Sequence, residues 1–203
     1  MLDCLFVNPN SSGIYQELAK DFTAIEPPTW ALLLAESLRS CGNDVAILDA
    51  DAERLSSEQT AKRVLAEKTN LVLFVVYGQN PNSGTTGMAE VEKVARFLFD
   101  YAGDSLVGVV GSHASALPRQ ILSITGVDFV LLNEGVYALR NLVANNKARG
   151  DLSSIKGIGY KLRGPGCDHL IINDPERLVP QDRMDIDLPG YAWDLLPYRD
   201  KPL

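Results

Sequence analysis

Five short apolar segments, separated by stretches with helical periodicity, constrain the fold of this chain more than any other feature. The apolar segments are residues 2–7, 44–48, 71–76, 106–111 and 128–132. The helical stretches are residues 30–41, 55–68, 88–98, a short one from Pro118, and 136–143. Parallel neighbouring strands need a crossover between them, and such crossovers are right-handed. The alternation therefore predicts an α/β fold with a doubly wound, five-stranded parallel sheet.

The fourth apolar segment runs into a loop of small residues that ends at Pro118, a favoured first residue of a helix. Gly111 permits a sharp turn of the backbone or the close approach of a ligand. Ser112, His113 and Ser115 add hydroxyl, imidazole and backbone donors. Ligands of open parallel sheets bind at the carboxyl ends of the strands, so this loop is the first candidate for a binding site.

The loops after the first, third and fifth segments are expected at the same edge and are also rich in glycine, serine, threonine or asparagine. The loop after the second segment instead carries Asp49 and Asp51, which are typical of a solvated turn. No loop contains the G-x-G-x-x-G or G-x-x-x-x-G-K-S/T pattern of nucleotide-binding proteins. Tyr77 and Gly78 occupy the place where a receiver domain carries its aspartate. The expected site is broad and offers neutral hydrogen bonds.

Composition is that of an ordinary globular chain, with 46% hydrophobic and 22% charged residues among 203. A net charge of −7 argues against a nucleic-acid backbone as the main partner. No apolar run approaches the roughly 20 residues of a membrane span, and no basic segment precedes an apolar one at the N-terminus. The three cysteines lack metal-site spacing, and Cys4 and Cys41 are expected in the core of a reduced, cytoplasmic protein.

The composition changes near residue 150, which predicts one α/β domain over residues 1–150 and a different region over residues 151–203. Residues 157–162 and 169–173 flank a glycine-rich turn and predict a β-hairpin. The segment from residue 180 to 203 has four prolines, five aspartates and little periodicity, which is typical of an extended linker laid over a surface. Because it ends without a capping element, we expect the chain to lead toward a further domain.

Several motifs, taken in order, resemble those of a known family. They are Asn8-Pro9, the run from Pro27-Pro28-Thr-Trp30 to Cys41-Gly42, Val45-Ala-Ile-Leu-Asp-Ala50, Gly111-Ser-His-Ala-Ser115 with Pro118, Asp128-Phe-Val-Leu-Leu-Asn-Glu-Gly135, Gly157-Ile-Gly-Tyr160, and Asp187-Leu-Pro-Gly-Tyr-Ala-Trp-Asp-Leu-Leu196. In this order and spacing the chain resembles the N-terminal cobalamin-binding domain of cobalamin-dependent radical S-adenosylmethionine enzymes. That group includes the anaerobic magnesium-protoporphyrin monomethyl ester cyclase.

The resemblance implies a Rossmann-like sheet of the cobalamin-binding type, with strand order 2-1-3-4-5. It also implies that this chain holds cobalamin and positions the corrin against a C-terminal radical domain. The parent enzyme would be a methyltransferase or cyclase that also carries a 4Fe-4S cluster and S-adenosylmethionine. Two alternatives stay open, namely a free-standing cobalamin carrier or sensor and a doubly wound domain that binds another nucleotide-type ligand.

The sequence departs from the family pattern in three places. The loop that usually reads Gly-Glu-Gly-Glu is Asn133-Glu-Gly-Val136 here, so the second acid is missing. The Asp-x-His-x-x-Gly motif that supplies a lower cobalt ligand is absent after the first strand, which leaves the axial ligand open. The Cys-x-x-x-Cys-x-x-Cys motif of the cluster is absent from these residues, so neither catalytic residues nor metal ligands are assigned to this chain.

A corrin is a flat, mostly apolar disc fringed by amides, with a nucleotide tail that carries a phosphate. Amides need neutral partners, small residues allow a close approach, and helix N-termini favour a phosphate. The candidate cofactor-binding residues are Asn8, Pro9, Asn10, Ser83, Thr85, Thr86, Gly111, Ser112, His113, Ala114, Ser115, Glu134 and Gly135. Each has a structural alternative as a strand-end turn, a helix cap, a solvated loop tip or an acid at a helix start.

Overall fold

The computed structural model describes residues 1–10, 26–77, 81–99, 101, 105–147, 151–163 and 168–196. The strands are β1 (Cys4–Asn8), β2 (Val45–Asp49), β3 (Leu71–Val76), β4 (Leu106–Gly111), β5 (Phe129–Leu131), β6 (Ile158–Arg163) and β7 (Asp168–Ile172). The helices are α1 (Thr29–Arg39), α2 (Ser57–Ala66), α3 (Pro81–Phe99), α4 (Ser112–Ala116), α5 (Pro118–Leu122), α6 (Val136–Lys147) and α7 (Met184–Asp187). Single turns of 3-10 helix lie at Leu152–Ser154, Gln181–Arg183 and Trp193–Leu195.

In the described part of the chain the strands form one seven-stranded sheet in the order β2-β1-β3-β4-β5-β6-β7. The pairings among β1 to β5 are parallel, whereas β6 runs antiparallel to both β5 and β7. The predicted doubly wound parallel sheet of order 2-1-3-4-5 is therefore confirmed. The predicted C-terminal hairpin is β6 and β7, and it extends this sheet beyond β5.

The sheet is covered by helices on both faces, which explains why its central strands are apolar along their whole length. All six residues of β3 are buried. Successive residues face opposite ways, so Leu73 belongs to the core beneath α1 and α6, whereas Phe74 belongs to the core beneath α2, α3 and α5. Two separate apolar layers thus hold a rigid sheet, with α1 and α3 on opposite faces.

Two segments predicted as loops are helical. The polar stretch 77–87 was expected to be a loop, but α3 begins at Pro81, where a proline is well tolerated in the first turn. Gly87 lets this helix lie against the sheet, since a Cβ there would be 2.8 Å from Cγ1 of Val76. The small-residue loop after β4 is helix α4, in which the Ser115 hydroxyl donates to the Gly111 carbonyl at 3.0 Å.

Cys4 is buried as expected, but Cys41 is exposed, so the prediction that it lies in the core is wrong. The helical spacing placed Cys41 on the inner face of α1. The helix ends at Arg39, however, and Gly42 adopts a positive φ of 80°, so Cys41 lies in the turn that leads from α1 into β2. A periodicity argument fails once the helix has ended.

The tail, residues 174–196, contains the described part of the segment predicted as an extended linker, and it lies over α1 and α6. It buries the side chains of Val179, Ala192 and Leu196 in the core beneath those helices. The backbone N–H of Ala192 donates to the Leu32 carbonyl of α1 at 3.3 Å. Among the described residues, no helix combines the length and apolar character that crossing a membrane requires.

Candidate functional site

The carboxyl edge of the parallel strands collects the loops that follow β1, β3, β4 and β5. Tyr77 directly follows β3, and α4 directly follows β4. The loop between β5 and α6 carries Asn133, Glu134 and Gly135. In a parallel sheet these chain segments meet on one side, so the structure brings together most of the loops on which the candidate residues lie.

A set of hydrogen bonds, which we call the edge belt, ties these loops to each other through Trp30, Tyr77, Ser115, Asn133 and Glu134. The Ser115 hydroxyl accepts the N–H of Asn133 at 2.9 Å while it donates to the carbonyl at the end of β4. The Tyr77 hydroxyl donates to the Asn133 carbonyl at 2.5 Å. The Trp30 indole N–H donates to the Glu134 carbonyl at 3.2 Å. The edge is therefore preorganised by contacts between distant parts of the chain.

The loop after β5 owes its shape to two residues with positive φ. Asn133 has φ 55°, which a short polar side chain tolerates better than most. Gly135 has φ 73°, and a Cβ there would lie 3.0 Å from Cγ2 of Val110. These two positive φ angles direct the N–H of Asn133 toward Ser115 and its carbonyl toward Tyr77. Gly135 is thus required by the fold, whatever the loop binds.

Glu134 lies at the start of α6, but its carboxylate is engaged by the tail. Its Oε2 accepts the backbone N–H of Val179 at 2.8 Å. Burial, followed by the negative charge of this carboxylate, raises the pKa of Tyr77 to about 12, so the phenol is a hydrogen-bond donor at neutral pH. Glu134, a candidate cofactor-binding residue, therefore also connects the carboxyl edge to the tail.

The side chains of Asn8, which ends β1, and of Asn10 are directed toward β2 and the segment that follows it. The Asn8 side chain donates from Nδ2 to Oδ1 of Asp49 at 2.8 Å, and Asn10 donates to the Leu55 carbonyl at 2.9 Å. Asp49 is fully buried and also accepts the N–H of Ala52 at 3.1 Å, so its assignment to a solvated turn is wrong. Pro9 between them is buried. The described contacts of these residues fasten the ends of β1 and β2 together.

Gly111 is required by the close packing of β4 against β3. Its φ of 162° is ordinary extended backbone, so its conformation does not require glycine. A Cβ at this position would, however, lie 2.4 Å from the carbonyl oxygen of Val76 on β3. A bulky replacement would push β3 and β4 apart, so it cannot test ligand contact without disturbing the fold.

The remaining candidates lie on α3 and α4. Ser112 is exposed, and His113 is half-buried with Nδ1 3.2 Å from Oγ1 of the exposed Thr85. Ala114 between them is buried against the sheet. The backbones of Ser83 and Thr86 lie in the first turns of α3, and their side chains lie outside the described part of the chain. Ser112, His113 and Thr85 thus place polar groups that reach solvent at the described edge.

A groove of about 300 Å³ opens between α3 and α5, beside the carboxyl edge. Its lining residues include Met88, Glu92, Arg96, His113, Gln120 and Ile121. His113 thus belongs both to the edge and to this groove. Within the described residues, no cluster of three or more His, Cys, Asp or Glu side chains could hold a metal ion.

Sequence reasoning missed Trp30, Tyr77 and Asp49 as residues that shape the edge. The signal for Tyr77 was its place directly after β3, which was used only to exclude a receiver domain. Nothing in the sequence pattern links Trp30 to Glu134, because these residues are separated by 104 positions. Their meeting depends on how α1 packs over the sheet.

Comparison with known proteins agrees with this geometry. The family model described as B12 binding domain matches residues 18–143. The chain is 23% identical, over 95% of its length, to the anaerobic magnesium-protoporphyrin IX monomethyl ester cyclase of Synechocystis sp.. It spans 36% of that relative, so about a third of the relative's length corresponds to this chain.

Two solved structures share the fold. The cobalamin-dependent S-adenosylmethionine radical enzyme OxsB, with aqua-cobalamin and S-adenosylmethionine bound, matches 98% of this chain and 25% of its own, at 18% identity and a TM-score of 0.71. The radical S-adenosylmethionine methyltransferase TsrM of Kitasatospora setae matches 86% of this chain and 30% of its own, at 21% identity and a TM-score of 0.62. Since the family model covers more than half of the sequence, the chain belongs to the B12-binding domain family.

Proposed function

We propose that this chain is the cobalamin-holding part of a cobalamin-dependent radical S-adenosylmethionine enzyme, of the methyltransferase or cyclase type. In this role it positions the corrin against a catalytic domain. The observation that carries the proposal is the edge belt, which joins the loops at the carboxyl ends of β3, β4 and β5 into one fixed surface. The similarity to the cyclase and to the two solved radical enzymes supports it.

The chemistry of the donors at this edge fits the cofactor. Ser112 and Thr85 present hydroxyl groups, and His113 presents an imidazole, next to the buried Ala114. The amides that fringe a corrin both donate and accept, so neutral groups of this kind satisfy them without burying a charge.

When bound, cobalamin would supply a cobalt centre that carries a methyl group or exchanges an electron. The work of this chain is to hold and orient that group. Ser112, His113 and Thr85 would hydrogen-bond its periphery, and the edge belt would keep their loops in place. Glu134 takes no part in proton transfer in this account, because its carboxylate is engaged by the N–H of Val179.

Residues 151–203 have a second role in this proposal, as the region that leads from the cofactor toward the catalytic domain. The relatives support this role because this chain corresponds to only 25–36% of their lengths. The 4Fe-4S cluster and S-adenosylmethionine would belong to that further domain. In this proposal the predicted regions 1–150 and 151–203 divide the chain by function, although β6 and β7 continue the sheet.

The proposal is tested by equilibrium dialysis of the purified chain against hydroxocobalamin, followed by the visible absorption of the corrin. We expect saturable binding that is abolished by Ser112→Trp, since a large side chain would fill the exposed position on α4. Glu67→Trp is the control, because Glu67 is exposed at the opposite edge, before β3 begins. Failure of the unsubstituted chain to retain the corrin at millimolar concentration would contradict the proposal.

A further inference from the structure

Two aromatic side chains meet at the carboxyl edge, and the edge belt uses only their polar atoms. Trp30 is in the first turn of α1, and Tyr77 follows the last residue of β3. Their ring centroids are 5.2 Å apart, with an angle of 52° between the planes. Both side chains are half-buried and pack against the core beneath α1 and α6. They form an apolar patch at the rim of that core.

The polar atom of each ring is already turned toward the loop after β5. The Tyr77 hydroxyl donates to the Asn133 carbonyl, and the Trp30 N–H donates to the Glu134 carbonyl. These two bonds fix the rings, so little side-chain entropy remains to be lost when something packs on them. Because the polar atoms are engaged, the pair presents apolar ring surface at the edge.

The place of the pair in the topology favours a ligand contact. Strand β3 lies next to β1, and the crossover helices α1 and α3 cover opposite faces of the sheet. The neighbouring ends of β1 and β3 are therefore the topological switch point of this fold, where open α/β sheets bind their ligands. Tyr77 ends one of these two strands, and Trp30 opens the helix that follows the other.

The geometry points to Trp30 and Tyr77 as the apolar platform on which the corrin disc packs. This inference rests on the proposed function and adds binding residues of a different kind to the neutral donors on α3 and α4. A corrin presents a broad apolar face inside its fringe of amides. Tyr77 and Ser112 directly follow Val76 and Gly111, which are paired in the sheet. A preformed pair of aromatic rings at the edge that also carries Ser112 and His113 supplies matching apolar surface and matching hydrogen bonds. The two sets of residues would divide the cofactor between them, with the rings contacting the disc and the donors contacting the amides.

The test compares two corrinoids on variants of the chain. Trp30→Leu and Tyr77→Leu remove the flat rings but keep apolar volume. Each is expected to raise the dissociation constant about tenfold for hydroxocobalamin and equally for dicyanocobinamide, which has the corrin disc but no nucleotide tail. Trp193→Leu is the matched control and should bind as the unsubstituted chain does. Trp193 pairs with Tyr191 on the tail at 5.6 Å and is 43% exposed.

Unchanged affinity in both leucine variants would overturn the inference, and so would a loss for hydroxocobalamin alone, which would place the pair at the nucleotide tail. Trp30→Phe and Tyr77→Phe keep a ring and lose the hydrogen bond, so they should bind within about threefold of the unsubstituted chain. If the phenylalanine variants lose as much as tenfold, the hydrogen bonds rather than the rings matter and the inference fails. The phenylalanine variants also decide the question if a leucine variant does not fold. An unsubstituted chain that binds neither corrinoid would contradict the proposed function itself.

Discussion

The guanidinium of Arg140 and the carboxylate of Asp187 meet at 2.7 Å, although 47 positions separate the two residues in the chain. Arg140 on α6 also donates to the Ser37 hydroxyl of α1 at 3.0 Å. Tyr137 and Arg183 donate to the same carboxylate, and with Arg140 they hold the pKa of Asp187 well below its usual range. One buried carboxylate therefore fastens the tail to two helices of the parallel-sheet unit.

Replacing Asp187 by asparagine should destabilise the chain, because the largely buried Arg140 would lose its counter-charge. At neutral pH we expect the midpoint of thermal unfolding to fall by at least about 5 °C. Asp185→Asn is the control, since Asp185 is exposed on the same short helix. Equal midpoints for the two variants would contradict this assignment.

The unsubstituted chain and Asp187→Asn should also differ in how their stability depends on pH. The folded-state pKa of Asp187 lies below the unfolded value of 3.8, so the unfolded chain takes up the proton first as the pH falls. The stabilisation is thus complete above pH 3.8 and is lost below it. The difference between the unsubstituted chain and Asp187→Asn should shrink in that acid range.

Removing the hydroxyl groups of two serines of α4 should affect different properties, namely stability for Ser115 and corrin binding for Ser112. Ser115→Ala removes the bonds to Gly111 and Asn133 and should cost about 1–2 kcal/mol in the free energy of unfolding. Ser112→Ala, at the exposed position, should change stability by less than about 0.5 kcal/mol while it weakens corrin binding. Urea unfolding and dialysis measure the two effects. A stability loss confined to Ser112→Ala would show that the roles are reversed.

Glu134 should control how tightly the start of the tail is held. With Glu134→Ala, the backbone amide of Val179 loses its acceptor, and its hydrogen exchange should become about tenfold faster. Glu134→Gln keeps an acceptor oxygen and should retain most of the protection. Glu176→Ala is the control, since Glu176 accepts only from the neighbouring Arg177 among the bonds described for it. Unaltered exchange at Val179 in Glu134→Ala would refute the link between edge and tail.

Tyr77 should contribute to the loss of folding stability at alkaline pH. Burial and the charge of Glu134 raise the folded-state pKa of Tyr77 from 10.0 to about 12, so the unfolded chain releases this proton first. The contribution is present below pH 10 and is lost as the pH rises toward 12. Tyr77→Phe should therefore show a shallower decline of the unfolding free energy over this range. Tyr101→Phe, at a 72% exposed position, should follow the unsubstituted chain, and identical slopes for all three proteins would contradict the prediction.

The strands could be predicted because a buried strand is apolar along its whole length, and this pattern is visible in the local sequence. Leu71–Val76 has no polar residue, and all six side chains are buried between helices. Helix boundaries are harder to predict where glycine, serine and threonine, which favour turns, occur inside a helix. Helix α3 begins at Pro81 and runs through such a stretch, in which Gly87 packs on Val76, and tertiary packing commonly overrides weak intrinsic preferences.

The site was predicted by its loops but not by its individual side chains. Ser112 and Ser115 are the same residue type in one helical turn, yet only Ser115 is joined to the loop after β5. Asp49 and Asp51 differ in the same way, since only Asp49 lies fully buried against Asn8. Such differences arise from contacts between residues tens of positions apart, and these contacts exist only after the helices have docked.

The most direct test of the central claim is the position of the cobalt atom, located by its anomalous scattering in crystals of the chain grown with hydroxocobalamin. The account predicts one cobalt peak at the carboxyl edge, above the ends of β1, β3 and β4 and within reach of Ser112 and the Trp30–Tyr77 pair. A cobalt peak on a helical face or at the opposite edge of the sheet would contradict it.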